Sequence, residues 1–169
     1  FCAQSVLACS WNTELAYDMG EAFAQEAVAM KIAALYAPAM NIHRSPFSGR
    51  NYEYYSEDGL HSGKMAAAET QGIQSQGVTT YCKHFAVNDQ ESNRDSGGLL
   101  TWVNEQAMRE IYLRAFEVAI HNVTGDGLIV LAAHRFQLGA LAFSGQRFAA
   151  HTAGAGVGAF PRRITGLLR

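Results

Sequence analysis

"VTTYCKHFAVNDQESNRDSGG", Val78 to Gly98, opens with β-branched and aromatic residues and breaks off into charge, amide and glycine. Such a run, bounded by polar residues, predicts a strand. Lys83 and His84 stand where its apolar part ends. Upstream, "LYAPAMNI" (Leu35 to Ile42) has the same character: an apolar run of strand length, interrupted at Pro38 where a strand ends or kinks. It too is followed by a long polar loop, "HRSPFSGRNYEYYSED".

Helical patterns separate these strands. From Thr13, the residues Leu15, Met19, Phe23, Ala27, Met30 and Ala34 recur every three or four positions as one apolar stripe, with Asn12 or Thr13 as cap. A second helix is expected from Leu60 to Gln76, capped by Ser56 and stopped at Gly77. A third follows Asn104, with Met108, Ile111, Ala115 and Ala119 as its stripe and Glu105–Arg109 and Glu110–Arg114 as i,i+4 pairs. Alternation of helix and strand implies parallel strands joined by crossover helices. Both long loops then lie at the C-terminal ends of strands, the edge that carries the active site in a (β/α)8 barrel. A doubly wound sheet places ligands there too, but neither loop has a glycine-rich phosphate cradle. The expected class is therefore α/β, a partial (β/α)8 TIM-barrel-type domain.

The chain has 169 residues, 49% apolar and 17% charged, with a net charge of −2. That balance gives no reason to expect nucleic acid or an anionic membrane as partner. No apolar run approaches the roughly 18–20 residues that span a bilayer. Cys2, Cys9 and Cys82 are odd in number and lack CxxC spacing, so they read as buried thiols of a reducing, cytoplasmic compartment. Phe1 in place of a starting Met makes the chain look like a fragment.

Lys83, His84 and Arg50 converge on one sheet edge in this reading. Each can donate in fixed directions to the hydroxyls of a sugar ring; a phosphate or carboxylate would suit them as well. Tyr52, Tyr54 and Tyr55 are candidates for a sugar-stacking wall, or for ordinary loop packing. Glu53, Glu57, Asp58, Asp89 and Glu91 fall in the two mouth loops, and most of them are expected to orient Arg50, Lys83 and nearby backbone. The six histidines show neither HxH nor HExxH spacing, so no metal is expected. Ser48 is not in a G-x-S-x-G elbow.

"SWNTELAYDMGEAFAQEAVAMKI", "YAPAMNIHRSPFSGRNYEYYSEDG", "KHFAVNDQESNR" and "NEQAMREIYLRAFE" together resemble the family 3 glycoside hydrolases, specifically their bacterial β-glucosidase branch. The resemblance runs from about residue 4 to about residue 121. It implies a (β/α)8-type first domain followed by an α/β sandwich domain, and cofactor-free, retaining hydrolysis of terminal non-reducing β-linked sugars. By match, Arg50 of G-R-N-Y-E and Lys83–His84 of K-H-F would bind hydroxyls of the sugar in the −1 subsite. In the hexosaminidase branch, P-G-H-G with a catalytic His follows K-H-F. Here "AVNDQ" follows, so His84 is expected to bind rather than to act as an acid.

No catalytic residue is assigned. The family's nucleophile is an Asp in a T-D-W/Y-like stretch after a later strand, its acid/base Glu belongs to the sandwich domain, and neither is readable here. The first 124 residues carry 8 basic and 14 acidic residues; after them come five Arg, one Asp, no Lys and no Glu, with half of the 16 glycines. Residues 1–124 are thus expected to be the partial barrel domain, and 125–169 an aberrant tail translated out of frame. Back-translation supports the idea. Gly166-Leu167-Leu168-Arg169 can be encoded so that the reading one base later is Asp-Tyr-Tyr, and His134 to Gly139 so that it is Ile-Gly-Ser-Asn-Trp. A non-catalytic carbohydrate-binding protein and an inactive truncated product are the competing readings.

Overall fold

The computed structural model describes residues 1–92, 101–123, 129–132, 142–143 and 146–147. A short helix, α1 (Gln4–Ala8), precedes α2 (Thr13–Ala29). Strand β1 (Ala34–Leu35) follows, then α3 (Gly59–Ser75) and β2 (Thr79–Lys83). A third helical stretch comprises α4 (Glu105–Ala107), a π-helical turn (Met108–Tyr112) and α5 (Arg114–Asn122). Strand β3 (Ile129–Ala132) lies beyond it, and β4 (Ala142–Phe143) and β5 (Gln146–Arg147) pair antiparallel.

The sheet order is β1-β2-β3, all parallel, with Ala34 beside Thr79 and Thr80 beside Ile129. This is the expected α/β alternation. Among the described residues the sheet has three strands and does not close, so barrel closure is not shown. Most of the expected tail lies outside the described residues. The exceptions are the three short strands just named, one of which, β3, extends the parallel sheet.

Helix α3 packs against both α2 and α5. Its approach to α2 is close because two glycines face each other's backbones. A Cβ on Gly20 would stand 2.2 Å from the Glu69 carbonyl oxygen, and one on Gly72 would stand 2.1 Å from that of Tyr17. Small residues set the buried face of α2, which is Ala16, Met19, Gly20, Ala24 and Ala27. Met19 and Ala27 of the expected stripe lie on this face, whereas Leu15 and Met30 are exposed and Ala34 belongs to β1. At Gly20 and Gly72 themselves even a methyl group would collide with the facing backbone.

The caps follow hydrogen-bond geometry. Asn12 accepts from the Glu14 and Leu15 amides, and Asn104 from that of Ala107. On α3 the cap is Asp58, whose carboxylate accepts from the His61 amide, rather than Ser56; the Ser56 hydroxyl accepts from the Asp58 amide one step earlier. In the third helical stretch the Leu113 amide donates to the Met108 carbonyl five residues back. This wider turn shifts the register. Arg109 pairs with Glu105 as expected, but Arg114 pairs with Glu117 instead of Glu110. The same shift leaves Ile111 exposed and buries Tyr112.

The main core lies between the sheet and the helices, with Met40, Ile42, Met65, Cys82, Met108 and Phe116 among its members. Of the three thiols only Cys82 is buried; Cys2 and Cys9 are exposed, which corrects the expectation for those two.

Candidate functional site

The chain after Pro38 keeps running beside β2: the Lys83 amide donates to the Pro38 carbonyl, and the Met40 amide donates to the Lys83 carbonyl. Asn41 therefore arrives level with His84. Its Oδ1 accepts from the His84 amide at 2.7 Å, and its Nδ2 donates to the His84 carbonyl at 2.9 Å. One side chain thus satisfies both backbone groups of a residue that has already left the strand ladder.

Arg50 enters from the loop after β1, at the start of a 3-10 turn (Asn51–Glu53). Its Nη2 donates to His84 Nε2 at 2.7 Å. Its Nε donates to Glu53 Oε1 at 2.6 Å, and its Nη1 reaches the Asn88 carbonyl at 3.3 Å and Glu91 Oε2 at 3.2 Å. Each of the three guanidinium nitrogens thus makes a hydrogen bond, and Glu91 adds an ion pair. The other Glu53 oxygen lies 3.5 Å from Lys83 Nζ, and that ammonium sits 5.1 Å from the centre of the Tyr36 ring. One carboxylate therefore spans both cations.

Arg50, Lys83 and His84 are thus brought together at the C-terminal edge of the sheet. Arg50 and His84 are buried at 8% and 2% exposure, and Lys83 is the more accessible. The tyrosines divide. Tyr52 is exposed, whereas Tyr54 and Tyr55 are buried and cannot present a stacking face; Tyr54 donates to the Asn88 carbonyl, and Tyr55 to Glu69. Burial pushes both phenols well above their ordinary range, with the Glu69 carboxylate adding to the effect on Tyr55.

The mouth carboxylates largely hold their neighbours. Glu53 and Glu91 pair with Arg50, and Asp58 caps α3. Asp89 and Glu91 line an open cleft with Arg44, Ser48 and Gln90, next to the Arg50 cluster but not containing it. Burial pushes the Asp89 carboxyl up to about 6, against the opposing pull of Arg44 and Arg50. His43 and His61 donate from Nε2 to backbone carbonyls, those of Tyr54 and Ala8, and so pack the loops. Among the described residues no group of three or more His, Cys, Asp or Glu is arranged to hold a metal ion.

Asn41 and Glu69 were not singled out in the sequence. Asn41 carries a signal, being a polar residue between the buried Met40 and Ile42 in an otherwise apolar run. Glu69 carries one too. It falls between Ala66 and Ile73 on the buried face of α3, where a carboxylate needs an explanation.

A model of the glycosyl hydrolase family 3 N-terminal domain matches residues 1–146. Beta-glucosidase A of Butyrivibrio fibrisolvens is 48% identical over 120 residues, which is 71% of this chain and 14% of that protein. An exo-alpha-(1->6)-L-arabinopyranosidase of Bifidobacterium breve is 45% identical over 111 residues, 66% of this chain and 14% of that protein. Among solved structures, beta-glucosidase 3B from Thermotoga neapolitana in complex with glucose superposes with a TM-score of 0.70 at 49% identity, covering 73% of this chain and 17% of that one. The chain therefore spans about one seventh of the length of these two curated relatives.

Proposed function

Because the chain belongs to glycosyl hydrolase family 3, we propose that it builds part of the sugar-binding wall of a retaining, β-glucosidase-like hydrolase acting on terminal non-reducing β-D-glucosyl or related residues. The observation that carries this reading is the meeting of Arg50, Lys83 and His84 at the C-terminal edge of a parallel sheet. Lys83 offers a sugar hydroxyl its ammonium donors, and Arg50 the N–H groups that its hydrogen bonds leave. His84 fixes the direction of the guanidinium and lies in the same cluster. Glu53 holds the two cations near each other despite their repulsion, so that a neutral polyol meets two oriented donors instead of two mobile ones.

Retention needs two carboxylates about 5–5.5 Å apart across the scissile bond, one of them free to attack. We assign neither role to a described residue, since Glu53 and Glu91 are engaged by the cations. In this reading residues 1–124 belong to the barrel-type domain, and an α/β sandwich domain supplies the acid/base. No cofactor is assigned. The expected result with the 169-residue chain is a glucose-dependent rise in melting temperature without hydrolysis of a chromogenic aryl β-glucoside. Turnover by this chain would overturn the assignment of the catalytic pair elsewhere, and no stabilisation by any pyranose would overturn the sugar wall.

A further inference from the structure

Glu69 is fully buried in α3, yet carries a carboxylate where the flanking positions of the same face, Ala66 and Ile73, are apolar. Burying an ionisable group costs free energy unless partners hold it. Glu69 has two: the Tyr55 hydroxyl donates to Oε2 at 2.6 Å, and Gln4 Nε2 donates to Oε1 at 2.8 Å. The facing titratable neighbours are Tyr55, from the mouth loop, and Cys82, from β2, both buried and neutral.

Tyr55 ends the segment that begins with Arg50. At its inner end this segment is fastened to the Asn88 carbonyl, which accepts from both Arg50 Nη1 and the Tyr54 hydroxyl. At its side, His43 Nε2 donates to the Asn51 and Tyr54 carbonyls. At its outer end, among the described residues, the Tyr55 hydroxyl ties the segment to Glu69 of α3, and α3 is fixed in turn by the glycine contact with α2. We propose that Glu69 is a positioning residue for the sugar site: by holding Tyr55 against α3 it sets the height of the Arg50–Glu53 turn at which Arg50 meets His84. The inference rests on the sugar-wall reading above, and its test separates the two.

The test uses the 169-residue chain and three variants: Tyr55→Phe, Glu69→Gln and Glu69→Leu. The nitrogen-15 NMR signal of the Arg50 Nε–H group, which points at Glu53, reports the position of the turn directly. Glucose affinity reports the site, and the urea midpoint reports the fold. Tyr55→Phe removes one hydroxyl and keeps the ring. It is expected to shift the Arg50 signal, speed its exchange with water and weaken glucose binding about tenfold, as one lost hydrogen bond would. Glu69→Leu is expected to do the same, and Glu69→Gln, which keeps an acceptor for Tyr55, to restore both readouts. The proposal is overturned if Tyr55→Phe lowers the urea midpoint while the Arg50 signal and glucose affinity stay at the wild-type values. It is also overturned if Glu69→Gln moves the signal as far as Glu69→Leu. Should Glu69→Leu fail to fold, Tyr55→Phe decides. An unmutated chain that ignores glucose sinks the sugar-wall reading alone, because the Arg50 signal still reports the position of the turn.

Discussion

Arg50 Nη2 donates to His84 Nε2 across 2.7 Å, joining a loop residue to the end of a strand 34 positions later. A guanidinium has no lone pair to offer, so the nitrogen facing it must accept. Nδ1 lies 3.2 Å from the same Nη2 and 3.3 Å from Asn41 Oδ1. Loop, strand end and the chain beyond β1 are thus locked through one imidazole.

If the proposed sugar wall holds, substituting Arg50, Lys83 or His84 with Ala in a full-length parent protein is expected to lower kcat/KM by about 2–4 kcal/mol of transition-state binding each, as the loss of charged hydrogen bonds to a buried ligand would. Because Arg50 and His84 touch, their double substitution should cost less than the sum of the two. Steady-state kinetics on a chromogenic glucoside measure both, and near-wild-type kcat/KM in all three would remove the site.

Glu53→Ala leaves Arg50 and Lys83 without the carboxylate they share. The expected cost is about 1–3 kcal/mol of stability, the penalty for a partly buried charge that has lost its partner. Glu53→Gln should recover part of it, since the amide oxygen still accepts from one cation. Urea titration of the three proteins gives the comparison; equal midpoints would mean the bridge contributes nothing.

Burial raises the Glu69 carboxyl from 4.5 to about 7, with the hydrogen bonds from Tyr55 and Gln4 opposing it. The folded form therefore keeps a proton that the unfolded chain has already released. The stability linked to this proton is fully present below pH 4.5 and is lost as pH rises towards about 7. Asp89, raised from 3.8 to about 6, acts in the same direction. Glu69→Gln should flatten the fall in urea midpoint between these limits; an unchanged slope would mean that another group titrates there.

Gly72→Ala puts a methyl group 2.1 Å from the Tyr17 carbonyl oxygen, a backbone atom that cannot rotate away. Overpacking of this kind costs about 1–3 kcal/mol. Thermal unfolding of the variant measures it. A melting temperature unchanged by the methyl group would show that α2 and α3 separate without penalty.

Sequencing the encoding DNA across codons 125–169 tests the tail. The reading one base later is expected to stay open and to give Asp-Tyr in the codons of Gly166 and Leu167. Stop codons there would end the idea.

Much of this was legible because periodicity and hydrogen-bond chemistry act locally. The alternation from Thr13 to Lys83 gave parallel strands, and the polar loops located the sheet edge on which Arg50, Lys83 and His84 meet. The misreadings have separate causes. The apolar stripe of α2 predicts Met19 and Ala27 inside, but also Leu15 and Met30, which are exposed because contact with α3 at Gly20 turns Ala16, Gly20 and Ala24 inward. The π-helical turn undid the Glu110–Arg114 pair, since the spacing rule assumes an unbroken α-helix. The Tyr54–Asn88 and Tyr55–Glu69 bonds were out of reach because they join segments 34 and 14 positions apart.

Those separations also order events in time. The Tyr55–Glu69 bond spans 14 residues, whereas Gln4 reaches the same carboxylate across 65. Short loops close at lower entropic cost, so a growing or refolding chain can tie the mouth loop to the nascent α3 before Gln4 arrives. Arg50 would then be waiting near its final place when β2 pairs with β1 and delivers His84. By the same rule the Arg50–His84 contact, which spans 34 positions, closes after the Tyr55–Glu69 tie and before Gln4 arrives.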